Sequence, residues 1–148
     1  MQKLNFPVYS FRLKNSENKV SIFDQIRKKF ILLTPEEWVR QHTVEYLIKE
    51  KKYPLSYINV EKLIKINDRN KRYDVVVFNP SGEIFLLIEC KAPEISISQS
   101  TFDQIARYNL VLKAKYLMVT NGLNHYFCQM DIEKERYNFL KDLPDFTK

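Results

Sequence analysis

The sequence predicts an α/β (α+β) fold: a mixed β-sheet flanked by helices, with a β-hairpin near the N-terminus. Three stretches carry that prediction. Val75–Phe78 and Ile84–Ile88 are short apolar runs, rich in β-branched and aromatic residues, on either side of Asn79-Pro80-Ser81-Gly82. Pro80 fixes φ and Gly82 admits φ > 0, so the two runs read as strands joined by a tight turn and buried on both faces. Thr34-Pro35-Glu36-Glu37 is a strong helix start, with Thr34 as N-cap, Pro35 at the first helical position and acids in the first turn. Ser100-Thr101-Phe102-Asp103 opens a second helix that leads into the apolar run Tyr116–Thr120, giving a helix-then-strand unit.

The remaining elements follow in chain order. Residues 8–13 alternate with period 2, as do Val20–Phe23, around the polar turn 14–19, which predicts a hairpin. Asp24–Leu33 reads as a turn and a short strand. The first helix should run to about Lys51, with Val44, Leu47 and Ile48 on its buried stripe and Glu37 and Gln41 extending that stripe. Residues 58–66 suggest one bulged strand, and 67–71 a charged turn into the central hairpin. The second helix spans Phe102 to about Lys113, with Phe102, Ile105, Ala106 and Leu112 inward. A strand over Asn124–Met130 comes next, and Glu133–Lys148 reads as a short helix with a frayed tail.

At 148 residues the chain is long enough for one core, and 1–148 is expected to be a single domain. With two glycines, it carries no Gly-rich phosphate loop or dinucleotide fingerprint. A net charge of +6 leans toward a polyanionic partner. Cys90 and Cys128 lack metal-ligand spacing, and Cys90, alternating with Glu89 and Lys91, should point into the core. No apolar run reaches the ~18 residues of a membrane span, and the start lacks a signal-peptide pattern. No membrane partner is expected, and the cytoplasm is the expected compartment.

The central hairpin also carries charge. Folding it about Pro80-Ser81 brings Asp74 beside the Leu87–Glu89 end of its partner strand. Glu89 and Lys91, two apart, share a face. Two carboxylates and an ammonium then converge at one end of an apolar sheet, where an unpaired charge is costly. Either the three neutralise one another, or they hold a metal ion and a water.

Asp74, then Glu89-x-Lys91 on the next strand, preceded by a Glu-bearing helix and followed by a helix-strand unit, resembles the PD-(D/E)XK nuclease superfamily. Leu33–Gln41, Tyr73–Val77, Ile88-Glu89-Cys90-Lys91-Ala92-Pro93 and Gln104–Asn109 together resemble the N-terminal nuclease domain of type I restriction enzyme R subunits, over roughly residues 25–130. Gln104-x-x-x-Tyr108 also resembles a motif of RecB-like nucleases. Two departures stand out. There is no Walker-type loop, so DNA translocation is not implied, and the family proline before the first acid is replaced by Arg72-Tyr73.

The resemblance implies a restriction-endonuclease-like fold and hydrolysis of phosphodiester bonds, with DNA as the expected substrate. It implies Mg²⁺, with Mn²⁺ as a substitute, held by Asp74, Glu89 and the Cys90 carbonyl. Lys91 would orient the attacking water. Glu37 would reach the site from the helix, with Glu45 as its rival, and Gln104 and Tyr108, at i and i+4, would lie over it. A motor or specificity subunit on another chain is an implied partner, and an oligomer is left open.

Each residue has a plainer alternative. Asp74, Glu89 and Lys91 form a structural ion cluster; Glu37 satisfies the helix dipole; Tyr108 is core; Arg40, Arg107 and Lys71-Arg72 are solvated charge; His42 and His125 are structural. The alternative function is a non-catalytic nucleic-acid-binding or assembly module that keeps the nuclease fold.

Overall fold

The computed structural model describes residues 1–146. Three short strands, β1 (Leu13–Ser16), β2 (Lys19–Asp24) and β3 (Lys29–Leu32), form an antiparallel sheet ahead of helix α1 (Pro35–Lys49). A six-stranded sheet follows in the order β4 (Ile58–Ile66), β5 (Arg69–Phe78), β6 (Ile84–Cys90), β7 (Tyr116–Thr120), β8 (His125–Asp131) and β9 (Arg136–Leu140). Helix α2 (Gln99–Asn109) crosses between β6 and β7, the one parallel pair in that sheet. This is the mixed sheet with flanking helices that the sequence predicts.

The central hairpin forms for the expected reasons. Val75, Val76, Val77 and Phe85 through Ile88 are all fully buried, as strands covered on both faces should be. Gly82 takes φ +86°, and the Asn79 side chain accepts from the backbone N–H of Ser81 and Glu83, closing the turn. One face packs Val39, Val44 and Leu47 of α1 against Val75, Val77, Leu86 and Ile88; the other packs Phe102 and Ala106 of α2 against Val76, Leu87, Leu117 and Val119. Each of these Val, Leu, Ile and Phe side chains contributes roughly 1.5–3 kcal/mol on burial.

The two helices differ in their ends from the sequence expectation. α1 starts as predicted, with Thr34 Oγ1 accepting from Glu37 N at 3.1 Å, and stops at Lys49 instead of Lys51. α2 starts earlier, because Ser98 and not Ser100 caps it through Thr101 N, and it ends at Asn109 in a 3₁₀ turn over Leu110–Leu112. Among the described residues, no helix is long and apolar enough to cross a membrane.

Several turns are tighter than the sequence suggests. The first hairpin turns at Glu17-Asn18, both with positive φ (51° and 63°), so its strands are 13–16 and 19–24 instead of 8–13 and 20–23. The charged turn shrinks to Asn67-Asp68 (φ 47° and 65°), and Arg69, Asn70 and Lys71 join β5. The C-terminal region is the largest correction. Arg136–Leu140 is a strand, not a helix, because ladder pairing with β8 satisfies its backbone and overrides local propensity. The tail after it is packed: Leu143 is buried, Tyr53 donates to the Pro144 carbonyl at 2.6 Å, and the Phe146 ring stacks on Tyr57. The last residues of the tail expected to fray, 147–148, lie outside the described residues.

Candidate active site

The paired register of β5 and β6 ends at Val75–Ile88, which leaves Asp74 and Glu89 facing one another just beyond it. The strands part there. Cys90 N, which an unbroken ladder would direct to β5 backbone, donates to Asp74 Oδ2 at 2.8 Å. Since a strand residue directs its N–H and C=O to the same side, the Cys90 carbonyl also faces the Asp74 side. The Cys90 side chain points into the core, as expected, and burial pushes its thiol well up.

Glu61 of β4 makes this place unusual. It lies between the pairs Val60–Val75 and Lys62–Tyr73, hence opposite Asp74, and takes φ +55°. Ile58, Val60, Val75 and Val77 pack with α1, whereas Ile64, Ile66 and Tyr73 pack with α2. Both strands therefore change the phase of their side-chain alternation at the Glu61–Asp74 pair. Asp74 sits at the crossing, between the helix layers, while Glu89 follows Leu87 onto the α2 side.

On the α1 side the carboxylates are paired with guanidinium groups. Arg40 donates to Asp74 Oδ1 at 2.7 Å and to Glu37 Oε1 at 2.6 Å, with Glu61 at 3.0 Å and Glu36 at 3.6 Å. Burial works against its charge, but Asp74 and Glu37 hold the guanidinium firmly protonated. Glu37 accepts from Arg27 as well, at 2.9 Å, and from Gln41 at 3.0 Å. Asp24 closes the network: both Arg27 (2.7 Å) and Gln41 (3.0 Å) donate to its Oδ2, and the backbone N–H groups of Ile26 and Arg27 to its Oδ1. Although burial opposes it, Arg27 holds the Asp24 carboxyl below its ordinary value.

On the α2 side they are not. Glu89, with a side chain 14% exposed, has Lys71 Nζ at 3.7 Å as its nearest cation. Burial and then the nearby Asp74 push its carboxyl up, against the pull of Lys71 and Lys91. Lys71 itself stands 3.9 Å from the Tyr108 ring centroid and 5.0 Å from that of Tyr73. The Tyr73 hydroxyl is buried with no hydrogen-bond partner among the described residues.

The predicted residues thus divide. Asp74, Glu89, the Cys90 backbone and Lys91 gather at the parted end of β5 and β6; Lys91 makes no ion pair among the described residues but is near enough to pull the Glu89 and Glu36 carboxyls down. Glu37 is one guanidinium removed from Asp74, its oxygens taken up by Arg27, Arg40 and Gln41. Its rival Glu45 is engaged by Gln25 and Lys49. Glu36, not singled out from sequence, is the helix acid whose carboxyl is raised by burial and then by Asp74. Tyr108 reaches toward Glu89 through Lys71, whereas Gln104 is exposed, with no side-chain hydrogen bond among the described residues.

Arg40 corrects its expectation as solvated charge: it is 5% exposed and central. Its i+3 and i+4 spacing from Glu37 and Glu36 was the available signal. Lys71 is likewise half-buried, while Arg72 and Arg107 are exposed. His42 and His125 bond to the Trp38 and Asn5 carbonyls in an aromatic nest around Phe6, a structural setting.

The donors suit a hard cation: two carboxylates and a backbone carbonyl are oxygen ligands, and Mg²⁺ commonly takes one or two carboxylates and keeps several waters. Among the described residues, no three His, Cys, Asp or Glu side chains are already gathered for a metal, and Arg40 holds one oxygen of Asp74. Cation binding there would draw Asp74 away from Arg40.

The family model for the type I restriction enzyme R protein N terminus (HSDR_N) matches residues 35–144, from the first turn of α1 to the packed tail. No curated protein matches the chain. The chain belongs to the family of the type I restriction enzyme R protein N terminus.

Proposed function

We propose that the chain hydrolyses phosphodiester bonds in DNA with Mg²⁺, or Mn²⁺ in its place. What carries the reading is Glu89: a nearly buried carboxylate beside a second one, with less positive charge around it than its neighbour Asp74 enjoys. Buried acids that are left under-compensated cost stability, and they cluster where chemistry needs them. Family membership points to the same reaction.

Asp74, Glu89 and the Cys90 carbonyl would hold the cation, which when bound supplies charge neutralisation at phosphorus and a more acidic water. The chain does the rest. The Lys91 ammonium orients the attacking water and stabilises negative charge as its proton leaves. The water oxygen bonds to phosphorus, the bond to one ester oxygen breaks, and the proton given up by the water passes through solvent to the departing oxygen. Glu36, beside Asp74 and Lys91, is the acid placed to take part from the helix. Before a cation binds, Arg40 holds Asp74 in place, and Glu37 holds Arg40. Gln104 and Tyr108 would act on substrate from α2, Tyr108 through Lys71. A motor or specificity subunit on another chain is the partner that fits an R-protein relationship.

A second reading, a DNA-binding module without turnover, draws on Arg40, which already neutralises Asp74. Incubating plasmid DNA with the chain in Mg²⁺ separates the two. Cleavage that disappears in Glu89→Gln and Lys91→Ala, both folded, is the expected result. Binding without cleavage by the wild type in either Mg²⁺ or Mn²⁺ would overturn the nuclease reading in favour of the module.

A further inference from the structure

Beyond Asp74, β4 and β5 continue as a two-stranded arm whose charge is far from average. Residues 62–72 hold five cations, Lys62, Lys65, Arg69, Lys71 and Arg72, and one acid, Asp68, so they carry four of the six net positive charges of the chain. Lys62, Lys65, Arg69 and Arg72 are exposed. Among the described residues, the ion pairs of these cations are Lys71 with Glu89 and the weak, solvent-exposed Lys65–Asp68 contact at 3.8 Å. The arm ends in a tight Asn67-Asp68 turn. Its register pairs Leu63 with Arg72 and Lys65 with Asn70, so side chains that can meet a phosphate stand on the strands that lead out from Asp74. A groove of about 560 Å³ beside Lys62 and Lys65 is lined by a further cation, Lys113, and by one acid, Glu83.

We infer that the β4–β5 arm is a clamp for the phosphate backbone of a DNA duplex, delivering it to the Asp74–Glu89 site. The inference rests on the proposed nuclease function and adds the surface that would hold the substrate. From Asp74 to Arg69 the strand contour is at most about 17 Å, matching the rise of about five base pairs. Lys71 links the two functions, lying on the arm and touching Glu89. At the Glu61–Asp74 pair, where Glu61 takes a left-handed backbone, the side chains of the arm change face. Cations with a structural role come with acids beside them; Lys62, Arg69 and Arg72 have no ion pair among the described residues, and a polyanion is the chemistry that completes them.

The test is binding of a fluorescent duplex in EDTA, which separates binding from cleavage. The wild type is compared with Lys62→Gln/Lys65→Gln/Arg69→Gln and with a control of equal charge, Lys19→Gln/Lys28→Gln/Lys29→Gln, on the N-terminal sheet. Loss of three phosphate contacts flattens the log–log salt slope by about 2.7, so between roughly 50 and 200 mM salt the arm variant loses about 40-fold less affinity than the wild type. The control keeps the wild-type slope. Thermal unfolding verifies that both fold, and Arg69→Gln alone, with a slope change of about 0.9, serves if the triple variant does not. Equal slopes for the arm and control variants overturn the clamp. If such a protein still cleaves DNA in Mg²⁺, the nuclease function stands without the arm; if the wild type neither binds nor cleaves, both fall. The same arm dependence on single-stranded DNA would overturn the duplex as the occupant.

Discussion

Asp74 and Glu89 are both carboxylates at one parted strand end, yet their surroundings differ in kind. Asp74 belongs to a closed network running from Asp24 through Arg27, Glu37 and Arg40, in which acids and guanidinium groups alternate. Glu89 has a single lysine at 3.7 Å, clasped by two aromatic rings, and an acid beside it that raises its carboxyl. The difference separates structure from chemistry. A network of paired charges fixes where a group is; a sparsely paired carboxylate is left with something still to bind. The same contrast assigns the N-terminal sheet a task, since β2 and its following turn hold α1, and α1 holds Asp74.

The comparison breaks most visibly at Asp24. Asp24→Ala strands Arg27 and Gln41 in a buried setting and should destabilise the chain by about 3–5 kcal/mol in urea unfolding. Because its folded carboxyl lies below the ordinary value, its contribution is present above the unfolded pKa and is lost as pH falls through the folded one. A loss below about 1 kcal/mol, the scale of a surface pair, would mean that the network is ornamental.

Arg40→Gln comes next. It leaves Glu37, Glu61 and Asp74 without their shared cation, and we expect a loss of about 3 kcal/mol. Mg²⁺ should recover part of that loss, by up to about 2.7 kcal/mol at a hundredfold excess over its Kd, and raise the melting temperature more than in the wild type. A variant indifferent to Mg²⁺ would place the cation site elsewhere.

Glu89→Gln should act in the opposite direction. A carboxyl whose folded pKa is raised favours the folded state below the unfolded pKa, and that contribution is lost as pH rises through the folded value. At neutral pH the charge is therefore a liability. The amide should melt at or above the wild-type temperature without metal, while cleavage is lost. Unfolding at neutral pH without metal would instead mark Glu89 as structural. Lys91→Ala should slow cleavage by about 10²–10⁴-fold with little change in stability. Smallest are the α2 residues. Tyr108→Ala should cost about 0.5–1 kcal/mol at its exposed stack on Lys71. Gln104→Ala should lower the cleavage rate without changing metal affinity or stability, and a variant that cleaves normally removes Gln104 from the site.

The central hairpin was legible because its signals are local: apolar runs of strand length, a Pro-Gly turn, and acids at the runs' ends. The start of α1 was legible for the same reason, since Thr34 and Pro35 act within one turn. What sequence missed depends on distant partners. Arg40 looks like any solvated arginine until Glu61 and Asp74 arrive from the sheet, and nothing local marks Glu61 for a left-handed backbone. Of the adjacent Glu36 and Glu37 only Glu37 was singled out, with Glu45 as its rival, and the packing of α1 on Arg27 takes Glu37 up in structure. Arg136–Leu140 follows the polar run Glu133-Lys134-Glu135, a composition that favours helix, and β8 alone makes it a strand.

The most direct measurement is a crystal of the chain soaked in Mn²⁺ and examined for anomalous scattering. A peak is expected between the carboxylates of Asp74 and Glu89, within ligand distance of the Cys90 carbonyl, with Arg40 turned from Asp74 and no peak in a Glu89→Gln crystal treated alike. A saturated soak with no peak at Asp74 and Glu89, in a crystal where both side chains are ordered, would contradict this placement of the cation.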